Sequence, residues 1–366
     1  MSPSRNQPLD ILRGVAILLV LGYHYGYVMG WDRVGWVGVD LFFVLSGFLI
    51  SGLLFSEYKR FENIDVVRFL IRRGFKLYPA FYALMCFSAL ECLISLGHVP
   101  GTMLAEVFFV QNYFPHFWGH TWSLAVEEHF YWMLPLSLIV MVKRSRHKQN
   151  PFGAIPWMFA FLGVACLALR ILAVHWGVPL ESIHEETHLR VDSLFAGVTL
   201  GYYRHFQPVL FDQAARKPLW VPAFLCLVPA FMFQLDTPLM NTFGFSSLYV
   251  GFSCLVVWAV ERPFSKRWAA RALAWIGRYS YSIYLWHIPV GFVLFRGRQG
   301  LFFFLEGTLA SIAVGAGMSW LIEVPQLRLR DRLFPSRSVR GRPAVADFAI
   351  TGAQSALSAG VHPQSS

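Results

Sequence analysis

Arg13 and His24 stand eleven positions apart in LDILRGVAILLVLGYHYGYVM, an apolar run from Leu9 to Met29. At 3.6 residues per turn and 1.5 Å per residue this spacing puts both on one helix face, roughly 16 Å apart along the axis. That is about half the thickness of a hydrocarbon core, and an ionisable side chain at such depth is costly enough to point to function. A neutral imidazole suits general-base work near neutral pH, and a guanidinium suits phosphate oxygens. The bland alternative is a snorkelling arginine and a histidine bonded to a neighbouring helix.

Other polar residues sort around these two. Asp40, in GVDLFFVLSGFLISG, is expected at the depth of His24 on the next helix running back, where a carboxylate would orient the imidazole and raise its basicity. Trp122, Glu127 and Glu128 open a fourth span, Arg170 closes a fifth, Arg190 and Asp192 open a sixth, and His287 lies inside YSYSIYLWHIP. A polar cluster facing outward and centred on His24 follows. We assign Trp122, Glu128, Arg170, Arg190, Asp192 and His287 to substrate binding within it. For the carboxylates the competing reading is helix-joining ion pairs, such as Glu127 with Arg170 or Asp192 with Arg190. Arg13, Arg72, Arg73 and Lys76 are expected to converge near the inner surface as a phosphate site, although topology alone would also place cations there.

The elements that must position these groups are membrane helices. The 366 residues are 56% hydrophobic and 14% charged, against roughly 25% charged in a soluble domain. The expected fold is all-α: a polytopic bundle with spans near 9–29, 34–55, 78–97, 124–142, 155–175, 190–203, 218–234, 243–260, 279–295 and 301–322. With both termini inside, 26 of the 31 lysines and arginines fall on inside segments and three in outside loops, as the positive-inside rule requires. This distribution accounts for the net charge of +10 without nucleic acid. Residues 1–8 form a cytoplasmic segment, 9–325 the membrane domain, and 326–366 a cytoplasmic, mostly disordered tail. Tyr58–Lys76 reads as a basic amphipathic stretch on the inner membrane surface, and His98–Thr121 as an aromatic outer loop. The N-terminus lacks a cleavage site after a short apolar run, so the first span is expected to stay as an anchor. The five cysteines lie in apolar segments without metal-ligand spacing, so neither disulfides nor a metal is expected.

In order along the chain, LDILRGVAILLVLGYHY, GVDLFFVLSGFLISG, RRGFKLYPAFY, TWSLAVEEHFYWMLP, RVDSLFAGV and GRYSYSIYLWHIPV resemble the successive motifs of the acyltransferase 3 family of integral membrane O-acyltransferases. The resemblance implies a ten-helix core, a cytoplasmic acyl-CoA donor, acetyl-CoA being the expected one, and a carbohydrate or lipid-linked glycan acceptor on the outer side. It implies a multi-pass protein of a bacterial inner membrane, with Arg13 and His24 as an essential pair and Glu127 as a further functional position. Lys76 stands where the family has an arginine, which loses a bidentate phosphate contact, and His129 replaces a common glutamine. The expected mechanism has His24, held by Asp40, as general base, Glu127 positioning the acceptor, and the cytoplasmic cations fixing the donor; an acyl-histidine relay is the covalent variant. A secondary transporter and an acyl-group translocator serving a separate transferase are the competing functions.

Overall fold

The computed structural model describes residues 6–335 except 27–29, 146–148, 264 and 296–299. The first helix, α1 (Gln7–Tyr25), starts where the Asn6 side chain accepts from Leu9 N at 3.4 Å, with Pro8 in its first turn. It is followed by α2 (Gly38–Phe61), α3 (Val66–Leu96), α4 (Trp122–Arg144), α5 (Ile155–His175), α6 (Leu180–Glu185) and α7 (Thr187–Phe206). The chain continues through α8 (Trp220–Met232), α9 (Phe245–Val260), α10 (Trp268–Arg278), α11 (Ser280–Phe295), α12 (Leu301–Met318) and α13 (Val324–Leu333). Short helical turns fill several of the connections.

Each of the ten apolar stretches read from the sequence is helical over most of its described residues. Among the described residues, seven helical runs are long and apolar enough to cross a membrane: Gln7–Tyr25, Trp31–Phe61, Val66–Leu96, Gly119–Arg144, Ile155–His175, Met240–Val260 and Leu301–Leu333. The other three stretches fall in α7, which carries Arg190 and Asp192, and in α8 and α11, which have only 13 and 16 residues. Of these, α7 is buried along most of its length, whereas α8 presents exposed apolar side chains such as Trp220, Phe224, Leu225 and Phe231.

One boundary differs from the sequence reading. Tyr58–Lys76 is not a separate surface element: α2 runs to Phe61 and α3 begins at Val66, capped where Asp65 accepts from Arg68 N at 3.1 Å. No residue between Val66 and Tyr78 interrupts a helix, and Pro79 is accommodated inside α3, so the arginines sit on the first turns of a 31-residue rod. Helix α13 carries the first part of the C-terminal segment to Leu333, and the disorder expected from Pro335 on falls, from 336, outside the described residues.

The bundle is assembled by close backbone approach at small residues. A Cβ on Gly47 of α2 would stand 1.9 Å from Leu194 O, and one on Gly197 of α7 would stand 2.1 Å from Val44 O. The pair α1 and α10 meets the same way, with Gly277 against Asp10 O at 1.8 Å and Gly14 against Leu273 O at 2.2 Å. Without a hydrophobic drive between helices in lipid, such approach is what lets van der Waals contact hold them. Gly47→Ala is therefore expected to destabilise the protein by about 1–3 kcal/mol through overpacking. Gly153→Ala, where an added Cβ meets nothing within 4 Å, should stay within about 0.5 kcal/mol. Thermal unfolding of both variants in detergent checks this.

Candidate active site

His24 lies in the last turn of α1 with its ring exposed to a cavity of about 190 Å³. The cavity is also lined by Asp40, His120, Trp122, His184, Glu185, Arg190 and Tyr284. Its Nδ1 is 3.0 Å from Val20 O and 3.3 Å from Nε2 of the fully buried His287, whose Nδ1 is 2.5 Å from Tyr284 O. Each Nδ1 faces a carbonyl, which only accepts, so each must carry the proton. His24 Nδ1–H then donates to Val20 O and is shared with His287 Nε2. This leaves the lone pair on His24 Nε2, which has no protein partner among the described residues. The imidazole is thus held in the tautomer a general base needs, and by a histidine.

His287 is itself anchored. Tyr25 donates to the His287 carbonyl and lies 2.9 Å from Ser311 Oγ. The ring of His120 sits 5.0 Å from that of His287, with Nε2 3.2 Å from Leu285 O and a buried Nδ1 that has no partner among the described residues.

Asp40 does not hold His24. Its carboxylate accepts from Arg190 in an ion pair that is almost wholly buried, and Arg190 also donates to His184 O at 3.0 Å while its guanidinium centre lies 3.7 Å from the Phe245 ring centroid. Arg170 pairs with Asp192 at 2.9 Å and donates to Leu189 O and Ser246 Oγ, both at 2.8 Å. Ion pairs do join these helices, as the competing reading had it, but not as Glu127 with Arg170 and Asp192 with Arg190, and the reason is geometric. Two residues along a helix turn the side chain by about 200°, so Arg190 faces α2 while Asp192 faces α5. Arg190 and Asp40 border the His24 cavity; Arg170 and Asp192 stand behind it, with no exposed surface.

Arg13 lines a second cavity of about 270 Å³, together with Arg73, Lys76, Ser46, Glu127 and Ser280 among largely apolar walls. Arg13 donates to Ser280 Oγ from Nε at 3.2 Å and Nη2 at 3.1 Å. Glu127 belongs here and not beside His24, because five residues along α4 from Trp122 carry it about 7.5 Å deeper. Its carboxylate accepts from Ser46 and from Tyr131, both at 2.5 Å, and Tyr131 in turn accepts from Arg73, whose guanidinium lies 4.2 Å over the tyrosine ring. Glu128 points elsewhere, held by the Tyr78 hydroxyl and by Trp132 Nε1 at 3.2 Å, and lines neither cavity. The Arg13 and His24 cavities share Val39 and Tyr284 as a common wall.

A third cavity of about 390 Å³ adjoins the second across Ile50, Leu53, Arg73 and Lys76, and adds Arg60, Arg68, Arg72 and Arg330. Arg72 opens only on this one, so of the four expected cations three meet around one space and the fourth stands next door. Sequence reasoning missed Ser46, Tyr131, Tyr284 and the histidines His120 and His184. Tyr131 follows Glu127 by four residues, one turn on the same face, and His120 immediately precedes the TWSLAVEE stretch; those were the available signals.

On α6, Glu185 is pushed up to about 7 by burial and by the neighbouring Glu181 and Glu186, and His184 is pulled down to about 4 by burial and by Arg190. Both line the His24 cavity, so near neutral pH its mouth holds a neutral imidazole and a carboxyl close to its titration point. No group of three or more His, Cys, Asp or Glu side chains disposed to hold a metal occurs among the described residues.

A family model described as an acyltransferase domain matches residues 6–324. The peptidoglycan O-acetyltransferase OatA of Listeria monocytogenes serovar 1/2a is 28% identical over 311 residues, which is 77% of this chain and 49% of the relative. The O-acetyltransferase OatA of Staphylococcus aureus strain NCTC 8325 is 30% identical over 318 residues, 79% of this chain and 51% of the relative. A putative O-acetyltransferase of S. aureus strain COL is 28% identical over 77% of this chain and 50% of its own length. The chain thus spans about half the length of the curated relatives it matches. No solved structure gives a significant match.

The Glu185 shift has a definite sign. The folded protein binds that proton more tightly than the unfolded chain, so the contribution to stability is present below about 4.5 and is lost as pH rises through about 7. His184 acts the other way, its contribution present above 6.5 and lost as pH falls through about 4. Glu185→Gln is expected to flatten the fall in melting temperature between pH of about 4.5 and about 7, which a detergent melting series on both proteins measures.

Proposed function

The chain belongs to the acyltransferase 3 family, and from that membership we propose that it moves an acetyl group from cytoplasmic acetyl-CoA to a hydroxyl of a cell-wall carbohydrate, with His24 as general base. The relatives named as O-acetyltransferases, one of them for peptidoglycan, support the acyl group and the acceptor class. Seven apolar helices support an integral membrane protein, for which we propose the bacterial cytoplasmic membrane and the orientation in which the Arg13 side faces the cytoplasm.

The observation that carries the reading is the fixed tautomer of His24 beside a wall shared with the Arg13 cavity. An acceptor sugar enters from the His24 side. His24 Nε2 takes the hydroxyl proton as the oxygen attacks the thioester carbonyl; the carbon–sulfur bond breaks, and the departing thiolate takes the proton from the imidazolium to leave free CoA. His287 holds the ring through His24 Nδ1 and adds no charge of its own in its neutral form. On the opposite side, Arg73 and Lys76 meet the donor's phosphates, while apolar residues such as Phe42, Leu45 and Leu49 enclose the pantetheine arm. The arm must cover roughly the 16 Å that separates Arg13 from His24 along α1. Glu127 acts on this donor side, where its bonds to Ser46 and Tyr131 keep Arg73 in place.

Purified protein in liposomes, given radiolabelled acetyl-CoA and soluble peptidoglycan fragments, should acetylate the fragments. His24→Ala should lower that rate by about 10²–10⁴-fold while CoA still binds. Undiminished transfer by the variant would remove His24 from the chemistry. A transporter or an acyl-group translocator would leave the fragments unlabelled with the native protein too.

A further inference from the structure

The family match ends at residue 324, and α13 begins there. This helix does not drift from the bundle: Phe334 lies 6.0 Å, ring to ring, from Phe75 on α3, Arg72 donates to Phe334 O, and Arg68 donates to Pro335 O. It also brings Arg330 into the wall of the third cavity, where Arg60, Arg68, Arg72, Arg73 and Lys76 already stand. Six cations thus border a concave space whose wall holds a single carboxylate, that of Glu57. A flat basic surface follows from topology alone, but a basic cavity that opens onto an apolar one does not. The pairing fits a ligand with several negative charges at one end and a slender, mostly apolar arm at the other.

Asp331 shows what that ligand would meet. Its Oδ1 lies 3.1 Å from Arg72 Nη2, 2.8 Å from Arg330 Nη2 and 2.9 Å from Arg330 Nε. Together with the carbonyls of Phe334 and Pro335 it supplies three oxygen acceptors to three guanidinium groups, the arrangement a polyphosphate would supply. We propose that α13 is part of the donor's polyphosphate site: Arg330 is a phosphate ligand, and Asp331 is an internal anion that competes with the phosphates for Arg72 and Arg330. The proposal rests on the reading above that this side of the bundle takes acyl-CoA. It adds a binding residue outside the family-matched segment and a reason for donor affinity to depend on α13.

The test measures binding of CoA and of S-acetylpantetheine, which has the arm without the nucleotide phosphates, to the full chain in detergent. Arg330→Gln should weaken CoA binding about tenfold, the loss of one charge-assisted phosphate contact, and reduce the preference for CoA over S-acetylpantetheine by the same factor. Asp331→Asn should do the reverse and tighten CoA about threefold, an effect that shrinks as salt is added. Opposite shifts from adjacent residues cannot come from a general loss of folding. If Arg330→Gln weakens both ligands alike, or if neither variant alters CoA binding, the assignment of α13 is wrong while the donor reading stands. If the native protein binds no CoA, the donor reading fails, and the role of α13 with it.

Discussion

Two ion pairs, Asp40 with Arg190 almost wholly buried and Asp192 with Arg170 fully so, bind α2 and α5 to α7 and fix the wall on which the His24 cavity is built. Removing two charges from water costs several kcal/mol per ion, so such pairs persist only where geometry returns the cost through contact and extra hydrogen bonds. Here each guanidinium gains further acceptors, His184 O for Arg190 and Leu189 O with Ser246 Oγ for Arg170. The close meeting of Gly47 and Gly197 on α2 and α7 lets the charges reach one another. Because Arg190 grips the carbonyl of His184, the same pair also anchors α6 at the cavity's mouth.

That commitment explains why the His24 imidazole is oriented by a histidine. Asp40 lines the same cavity as His24 and was the obvious partner, but its charge is spent on Arg190. A carboxylate free to serve His24 would need its own counter-charge in a low-dielectric bundle. The neutral His287 supplies an acceptor for Nδ1–H with no such demand, and α11 delivers it because Tyr25 and Tyr284 pin its backbone and ring. The His24 and Arg13 cavities then share two lining side chains, Val39 and Tyr284.

The helices were legible because apolar length is a one-dimensional property, and the eleven-residue spacing in α1 was legible because helical periodicity is too. What the sequence did not disclose was partner choice. Whether Arg190 meets Asp192 or Asp40 depends on which neighbour each face of α7 touches, and nothing in the local pattern encodes that. Glu127 was read at the depth of Trp122, although five residues of rise move it into the next cavity. Tyr58–Lys76 looked amphipathic, but its arginines Arg60, Arg68, Arg72 and Arg73 border a cavity, a feature that hydropathy alone does not reveal. The helix α13 was hidden in a run rich in arginine, whose value lies in what it packs against.

In the proposed reaction, an acyl group carried by a phosphate-anchored arm on the Arg13 side reaches His24 past Val39 and Tyr284. The direct measurement is a structure of the protein in lipid with a non-reactive acetyl-CoA thioether. Phosphates at Arg73 and Lys76 with the acetyl group at the Tyr284 wall, facing His24 Nε2, is the predicted result. A thioether bound with its acetyl end directed into lipid, or nucleotide bound on the His24 side, would contradict the account.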